Sequence, residues 1–234
     1  MRILVVNAGS SSLKLRVVGE GDTTVGRADL SPLTQASSPE PGDDELRRAI
    51  EELGAVDAVG HRIVHGGTEL REPVAVDDEV VEQVAALTDL APLHQPACVA
   101  ALRAARAVLP DVPHVACFDT AFHATIPPAA ATYALPRAWR ERWPLRRFGF
   151  HGLSHAYAAR RTAQLLGRPP AALRLVTAHL GAGASLAAIR DGRSVDTTMG
   201  FTPLEGLVMA TRSGSVDPGL VLWLQQEGGL PVGE

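Results

Sequence analysis

Near its N-terminus the chain reads Ile3-Leu4-Val5-Val6-Asn7-Ala8-Gly9-Ser10-Ser11-Ser12-Leu13-Lys14. The apolar run predicts a buried strand, and the alternation after the serines predicts a second one, so the stretch is typical of a β-hairpin. Its turn is rich in glycine and serine, and it ends at Lys14, the only lysine of the chain. Small residues, hydroxyls and a compact ammonium are suited to holding phosphate. The hairpin is therefore also a candidate phosphate loop, although it lacks the sequence pattern of a Walker P-loop.

Composition and charge exclude several classes of protein. The 234 residues suffice for one large domain or two small ones, and a hydrophobic content of 46% is ordinary for a globular protein. A net charge of −4 without a basic stripe argues against a nucleic-acid partner. The first apolar run is too short for a signal peptide, and no segment is long enough to cross a bilayer. We therefore expect a cytoplasmic protein without a membrane partner, in which Cys98 and Cys117 are buried, reduced thiols.

Predicted strands and helices are interleaved along the chain, which indicates an α/β fold. The predicted strands cover residues 3–6, 13–18, 61–67, 114–118, 173–178, 186–189 and 194–195. The predicted helices cover residues 43–53, 77–87, 96–109 and 155–166. The Asp191-Gly192 pair between the last two strands is a strong hairpin signal. A proline-rich passage follows Asp119, and we place a domain boundary near residue 120, between predicted domains 1–120 and 121–234.

Polar residues repeatedly stand at the ends of apolar strands, and they are Asn7, Lys14, His61, Arg62, Asp119 and His179. Ligands of open α/β sheets bind beyond the carboxyl ends of the strands, so these side chains are candidates for an anion-transfer site. An arginine such as Arg62 can bind a carboxylate or a phosphate bidentately. On sequence alone, a buried structural ion pair is an equally good interpretation of Arg62.

Other short patterns carry weaker predictions. The segment His151-Gly152-Leu153-Ser154-His155 has two histidines four residues apart, but it lacks the glutamate of a zinc-protease helix, so we expect no metal there. His155 is interpreted as a packing residue at the start of a helix. The turn Gly181-Ala182-Gly183, taken alone, is typical of ordinary chain geometry. No Gly-x-Ser-x-Gly pattern supports a hydrolase triad.

Several longer motifs, taken together and in their order along the chain, resemble the acetate kinase family. They are the hairpin Asn7 to Lys14, Gly60-His61-Arg62-Ile63-Val64-His65-Gly66-Gly67, Ala91-Pro92-Leu93-His94, Phe118-Asp119-Thr120-Ala121-Phe122-His123, Gly149-Phe150-His151-Gly152-Leu153-Ser154-His155, His179-Leu180-Gly181, Asp196-Thr197-Thr198-Met199-Gly200-Phe201-Thr202-Pro203-Leu204-Glu205-Gly206 and Thr211-Arg212-Ser213-Gly214. The resemblance runs from the first residue to nearly the last. Several of these motifs are long enough to be specific.

The resemblance implies a two-domain acetokinase fold of the ribonuclease H-like superfamily that includes sugar kinases, heat-shock ATPases and actin. It implies a homodimer that transfers the γ-phosphoryl group of ATP to acetate, giving acetyl phosphate and ADP, with Mg²⁺ or Mn²⁺. Propionate and butyrate kinases share the motifs, so a kinase of another short-chain acid is an alternative. A noncatalytic fragment that binds acyl phosphate is a further alternative.

The resemblance also implies roles for the residues that bind substrates. By the family pattern, Asn7 lies at the metal and the phosphates, Lys14 binds the nucleotide, and Arg62 holds the substrate carboxylate. The nucleotide phosphates are expected to lie at a loop made of His179, Leu180, Gly181, Ala182 and Gly183.

The family pattern makes Asp119, His151 and Arg212 the catalytic residues. Asp119 is the proton donor or acceptor of the family, and His151 and Arg212 stabilise the transition state. Phosphoryl transfer asks a protein mainly for alignment and for neutralisation of charge, which these side chains supply. Because a carboxylate nucleophile is already ionised near neutral pH, positioning of metal or substrate is a more natural role for Asp119 than proton abstraction.

The sequence departs from the family pattern in three ways. Ala182 stands where the family has asparagine, and Gln95 stands where asparagine is usual after Pro92-Leu93-His94. The chain ends at Glu234, before the later adenosine site and the metal-binding glutamate of the family. We therefore expect an incomplete second domain, with apolar surface exposed at its end around Leu220, Leu222 and Trp223.

Overall fold

A computed structural model of the protein describes residues 1–9, 12–33 and 42–231. The chain divides into two compact units, Met1–Ala124 and Thr125–Glu234. The division of function between the predicted domains 1–120 and 121–234 stays a prediction. No helix within the described ranges has the length and apolar character needed to span a membrane.

The first unit is built on a six-stranded mixed sheet. Its strands are β1 (Ile3–Ala8), β2 (Leu13–Val18), β3 (Thr24–Leu30), β4 (Ala58–Ile63), β5 (Val74–Ala75) and β6 (His114–Phe118). Their order across the sheet is β3-β2-β1-β4-β6-β5, in which β1, β4 and β6 run parallel and the other neighbours pair antiparallel. The two-residue strand β5 is too short for a sequence pattern to reveal.

Three helices complete the first unit, and they are α1 (Gly42–Leu53), α2 (Asp78–Ala86) and α3 (Gln95–Val108). On β1 the buried residues Leu4, Val6 and Ala8 alternate with half-buried ones, so one face of the sheet carries the core. Helix α3 packs against β1 and β4, and α2 packs against α3. The predicted helices of this unit are therefore confirmed, with ends shifted by at most one or two residues.

The N-terminal hairpin is confirmed. β1 and β2 pair antiparallel from Ile3 opposite Val18 to Ala8 opposite Leu13. Gly9 N donates to Ser12 O at 2.9 Å, which closes the turn. The other two serines of the predicted phosphate loop, Ser10 and Ser11, lie outside the described residues.

The two cysteines are free thiols, as predicted, but they differ in burial. Cys98 is buried on α3, whereas Cys117 on β6 is only half-buried, so the prediction of full burial is wrong for Cys117. Cys117 belongs to the alternating positions of β6 that face away from the core, which explains its exposure.

Gln95, a departure from the family pattern, has a structural role. Its side chain is fully buried at the start of α3. Its Nε2 donates to His65 O at 3.0 Å and to Val84 O at 3.1 Å, and its Oε1 accepts from His65 N at 3.3 Å. A single amide thus ties α3 to α2 and to the turn after β4. The side chain of glutamine, longer by one methylene than that of asparagine, supplies the reach.

A change of Gln95→Leu removes these three hydrogen bonds and leaves buried backbone groups without their partner. We expect a loss of about 1–3 kcal/mol in the free energy of unfolding, measured by urea denaturation. The matched control is Gln83→Leu, since Gln83 is an exposed residue of α2 whose Nε2 donates to Glu79 Oε1 at 3.1 Å. The control should change stability by less than about 0.5 kcal/mol. Equal effects of the two variants would contradict this role of Gln95.

His61 and His114 form a buried pair on the core face of the sheet. His61 therefore points away from the face that carries Arg62, its neighbour in β4. His61 Nε2 and His114 Nδ1 are 2.8 Å apart, and His114 Nε2 lies 3.0 Å from Leu109 O. Because a carbonyl only accepts, His114 carries its proton on Nε2 and accepts from His61 Nε2. Burial, and to a lesser degree His114 and Arg106, lowers the pKa of His61 to about 3 from 6.5.

This pair predicts loss of stability in mild acid. The folded-state pKa of His61 lies below its unfolded value, so the unfolded chain binds more protons and stability falls as the pH falls below 6.5. Between pH 7.5 and pH 5, His61 alone should remove about 2 kcal/mol from the free energy of unfolding. Urea titrations at both pH values measure this loss, and His61→Gln should reduce it. An unchanged pH dependence in that variant would refute the assignment.

The second unit combines four helices with a three-stranded antiparallel sheet in the order β7-β8-β9. The elements are α4 (Pro128–Ala131), α5 (Arg137–Arg142), α6 (Gly152–Leu166), β7 (Arg174–Leu180), β8 (Ala184–Arg190), β9 (Arg193–Thr197) and α7 (Pro218–Gln226). Helix α6 packs against β7. The predicted exposure on α7 is confirmed, because the side chains there that face solvent include Leu220, Leu222 and Trp223.

Two details of the second unit test sequence predictions. The Asp191-Gly192 hairpin is confirmed, with Arg190 opposite Arg193 and positive φ angles of 56° and 76° at the two turn residues. Helix α6 begins at Gly152, three residues before the predicted start at His155. His155 is the fourth residue of this helix and is buried, so its interpretation as a packing residue near a helix start is confirmed. Its ring also lies 2.8 Å from the hydroxyls of Thr177 and Ser185.

Candidate active site

In the first unit, the polar residues at the strand ends form a row across the sheet. Lys14 lies opposite Asn7 in the β1–β2 pair, and Asn7 lies beside Arg62 in the β1–β4 pair. Directly paired residues project from the same face, so these three side chains share the face that the core does not occupy. Asp119 follows β6 directly, and its N–H donates to Ile63 O at 2.9 Å. The structure thus brings together four predicted site residues.

Arg62 is the centre of this row. Its Nε and Nη2 donate to Asp119 Oδ2 at 3.1 and 2.5 Å, and its Nη1 donates to Asn7 Oδ1 at 3.2 Å. The side chain of Asp119 is 4% exposed and that of Arg62 is 27% exposed. Burial opposes the charge of Arg62, but Asp119 outweighs burial and raises the pKa of the guanidinium. The ion pair is therefore present, and it holds a charged guanidinium at a partly open edge of the sheet.

The turn after β4 fixes the chain next to Asp119. Gly66 N donates to the hydroxyl of Thr120 at 3.0 Å. A side chain at Gly66 would collide with Leu70 O and would meet Phe118 at 3.0 Å. Only glycine therefore allows the close approach that lets Gly66 hold Thr120, and through it Asp119.

Within the described ranges, no group of three or more histidine, cysteine or acidic side chains is placed to hold a metal ion. The oxygens of Asn7 and Asp119 are of the type that Mg²⁺ prefers, and Mg²⁺ at nucleotide sites commonly takes only one or two carboxylates besides phosphates and waters. Both side chains, however, accept hydrogen bonds from Arg62. These residues fit part of a magnesium site, whose remaining ligands phosphate and water would have to supply.

In the second unit, His151 stands at a strained position. It precedes α6 with a left-handed backbone, φ 57°, which is uncommon for any residue other than glycine. Its ring stacks on that of His179 at a centroid distance of 4.0 Å, and its Nδ1 lies 2.9 Å from Ser185 Oγ. The strain and the contacts fix the direction of the ring, as is frequent at functional sites.

His151 and Arg212 meet at the glycine loop between β7 and β8. A Cβ placed on Gly183 would lie 3.2 Å from His151 Nε2 and 3.3 Å from Arg212 Nη1. Two cationic or donor groups therefore face the same point beside the loop, as the stabilisation of an anion requires. The loop itself is closed by a bond from Gly181 N to Gly183 O at 3.0 Å, and the side chain of Leu180 is 76% exposed.

Arg212 is positioned by the segment that precedes it. Its Nη1 donates to Pro203 O at 3.1 Å. That segment is held by Glu205, which accepts from Tyr133 Oη at 2.5 Å and from Arg147 Nη2 at 2.7 Å. Burial, followed by Glu205, raises the pKa of Tyr133 to about 12, so the phenol stays protonated and donates.

Sequence reasoning missed three residues beside His151. The hydroxyl of Ser185 lies between His151 and His155, and the hydroxyl of Thr177 lies 2.8 Å from His155 Nδ1. Serine and threonine on strands carry no sequence signal of such contacts. A histidine four residues after a candidate catalytic histidine is a signal, because residues at that spacing lie near each other on a helix.

Comparisons with known proteins show the family of this chain. The model of the acetokinase family matches residues 43–234, which is most of the chain. The chain belongs to the acetokinase family. A curated acetate kinase of Deinococcus radiodurans is 47% identical over 257 residues, covering 100% of this chain and 65% of the relative. An acetate kinase of Thermotoga maritima is 42% identical, with 98% of this chain and 64% of the relative covered.

Solved structures of the family confirm the predicted fold. The crystal structure of Porphyromonas gingivalis acetate kinase matches with a TM-score of 0.86 at 34% identity, over 99% of this chain and 65% of that one. A propionate kinase from Francisella tularensis matches with a TM-score of 0.88 at 34% identity, over 99% and 66%. This member of the acetokinase family spans about 65% of the length of the acetate kinase of Deinococcus radiodurans.

The close packing at Gly183 generates a prediction. Gly183→Ala places a methyl group 3.2 Å from the His151 ring and 3.3 Å from Arg212 Nη1, so both side chains must move. We expect shifted His151 ring resonances in NMR spectra and a loss of about 1 kcal/mol in stability. The control is Gly181→Ala in the same loop, where a Cβ meets its neighbours at 3.5 and 3.6 Å, an ordinary contact distance. The prediction fails if Gly181→Ala disturbs His151 as strongly.

Proposed function

We propose that this protein is an acetate kinase, which transfers the γ-phosphoryl group of ATP to acetate in a reversible, Mg²⁺-dependent reaction. An oxygen of acetate forms a bond to the γ-phosphorus, the bond from that phosphorus to the β–γ bridging oxygen breaks, and acetyl phosphate and ADP result. The observation that carries the proposal is the 47% identity with a curated acetate kinase over the whole of this chain.

We assign the acceptor carboxylate to Arg62. The support is the partly exposed guanidinium, which keeps its charge through Asp119 and is oriented by Asn7. A planar guanidinium binds a carboxylate with directional hydrogen bonds. Asp119 then acts by orienting Arg62, and no general base is required because acetate is ionised near neutral pH.

We assign the transferred phosphoryl group to His151 and Arg212. Charge in the transition state spreads over the three equatorial phosphoryl oxygens, and donors already fixed in place stabilise it best. The support is the approach of both side chains to one point beside Gly183. The segment 179–183 is the proposed loop for the nucleotide phosphates, and Lys14 is the proposed cation for the nucleotide.

The proposed metal is Mg²⁺, with Mn²⁺ as a substitute, and Asn7 is the residue of this chain assigned to it. A divalent ion held there would supply positive charge to the nucleotide phosphates. The chain's own part is to present the Asn7 oxygen, which Arg62 already orients at 3.2 Å. A cytoplasmic location and assembly as a homodimer are further parts of the proposal, taken from the family resemblance.

A propionate-type or butyrate-type kinase is the second candidate, and the similarity to the Francisella tularensis propionate kinase favours it. One additional methylene in an apolar pocket changes discrimination by only about 1–3 kcal/mol. Comparison of kcat/KM for acetate, propionate and butyrate therefore decides between the candidates. A noncatalytic protein that binds acyl phosphate is the third candidate.

The direct test uses the purified 234-residue protein with ATP, Mg²⁺ and acetate, and measures acetyl phosphate and ADP. Equal amounts of both products, formed only with all components present, support the proposal. Binding of acetyl phosphate without turnover supports the noncatalytic alternative and overturns the proposed activity. Absence of both binding and turnover overturns the assignment of an acyl-phosphate site to this chain.

The acceptor site gives a further prediction. Arg62→Ala should weaken binding of acetyl phosphate by about 10- to 100-fold, because hydrogen bonds to a charged group contribute about 1.5–3 kcal/mol. The matched control is Arg16→Ala, which removes an arginine paired with Asp29 at 2.7 Å in the same sheet and with similar exposure, 29%. Calorimetry measures both affinities, and circular dichroism checks that the variants fold.

Arg62→Lys is the second variant, since it keeps a positive charge beside Asp119 and loses the planar fork. It should fold and still bind more weakly than the parent protein. Parental affinity in both Arg62 variants would remove Arg62 from the acceptor site.

A further inference from the structure

Ser185 lies between two histidines of the second unit. Its Oγ is 2.9 Å from His151 Nδ1 and 2.8 Å from His155 Nε2, and the residue is fully buried. On the far side of His155, Nδ1 lies 2.8 Å from Thr177 Oγ1. The four side chains therefore form a continuous hydrogen-bonded chain from the candidate catalytic residue His151 to Thr177 on β7.

The number of protons restricts the directions of these bonds. A hydroxyl has one proton and can accept two hydrogen bonds, so Ser185 donates to at most one of the two rings. With both rings neutral and the hydroxyl proton used, it donates to one ring and accepts from the other. If Ser185 donates to His151, then His155 carries its proton on Nε2, and its Nδ1 accepts from Thr177. If Ser185 donates to His155, every bond reverses, and the proton of Thr177 points away from the chain. The tautomers of His151 and His155 are thus linked through one buried hydroxyl.

The first arrangement uses every hydroxyl proton. The two rings are the hydrogen-bond partners of Ser185 Oγ in the described part of the chain, and His155 is the partner of Thr177 Oγ1. Since buried hydroxyl protons without acceptors are costly, this arrangement is favoured. In this arrangement His151 Nδ1 carries no proton and accepts from Ser185, and the proton of the ring is on Nε2. His151 Nε2 is the atom that lies 3.2 Å from the Cβ position of Gly183.

We propose that Ser185 is a positioning residue, which with His155 and Thr177 holds His151 as the Nε2-protonated tautomer. This inference rests on the proposed function, because the Nε2 proton is then the donor to the transferred phosphoryl group. A neutral imidazole fixed in this way presents an N–H donor without taking up a proton from solvent. Thr177 sets the state of His151 across three hydrogen bonds.

The test reads the tautomers directly, by long-range ¹H–¹⁵N NMR of protein labelled at histidine nitrogens. In the parent protein, both His151 and His155 should carry the proton on Nε2. Thr177→Val removes one hydroxyl at nearly constant volume, and it should convert His151 to a mixture of tautomers. Ser185→Ala should do the same, whereas Ser185→Thr, which keeps a hydroxyl, should restore the parental state.

Ser154→Ala is the matched control. Ser154 Oγ lies 2.9 Å from Nδ1 of His179, whose ring stacks on His151, so the change removes a serine hydroxyl from the adjacent ring. It should leave the His151 tautomer unchanged. A His151 proton on Nδ1 in the parent protein, or a His151 tautomer that ignores both Thr177→Val and Ser185→Ala, would overturn the proposal.

A kinetic measurement separates this inference from the proposed function. Ser185→Ala should lower kcat by about 10-fold with little change in KM, less than the 10²–10³ expected when a donor is removed outright. A raised KM with an unchanged kcat would contradict a role in the transition state. If the parent protein has neither turnover nor affinity for acetyl phosphate, the proposed function fails, and the tautomer measurement still decides whether Ser185 couples the two rings.

Discussion

The ion pair between Arg62 and Asp119 is the interaction on which the first unit's candidate site depends. It joins the ends of the parallel strands β4 and β6, and the same guanidinium reaches Asn7 on β1. Three adjacent strands are therefore linked by one charged side chain. Removing either partner leaves the other charge uncompensated, which is costly where the carboxylate is 4% exposed. Structural and binding roles of Arg62 are thus compatible, because the pair that anchors the guanidinium also keeps it charged.

Much of this unit could be predicted from sequence, for a physical reason. The alternation around Leu4 and Val6 specifies which face of β1 is buried, and the register then places Asn7 beside Arg62. Local periodicity and a tight turn are short-range properties, so a sequence pattern contains them. The burial of His61 on the opposite face follows from the same alternation, since His61 and Arg62 are neighbours in a strand. The sequence-based prediction that His61 and Arg62 belong to one site is therefore wrong for His61, since the two side chains point to opposite faces of the sheet.

The contacts that sequence could not reveal join residues far apart in the chain. Gln95 bonds to His65 and Val84, and Ser185 bonds to His151 and His155. A glutamine or a serine in the sequence does not indicate a buried hydrogen-bond partner, because both residue types are common on surfaces. The family resemblance marked Gln95 only as a departure, and the structure supplies its reason. For Ser185, the decisive information is the number of protons available at a buried position.

The His61–His114 pair and the chain from His151 to Thr177 end at different kinds of hydrogen-bonding group. His114 ends at the carbonyl of Leu109, which only accepts, so the direction of the His61–His114 bond is fixed. His155 bonds to the hydroxyl of Thr177, which can donate or accept, so the direction of that chain depends on which arrangement gives the hydroxyl protons an acceptor. A fixed pair suits a core that must stay neutral. In the favoured direction the chain keeps a proton on His151 Nε2, so a donor is in place before any acceptor arrives at that ring.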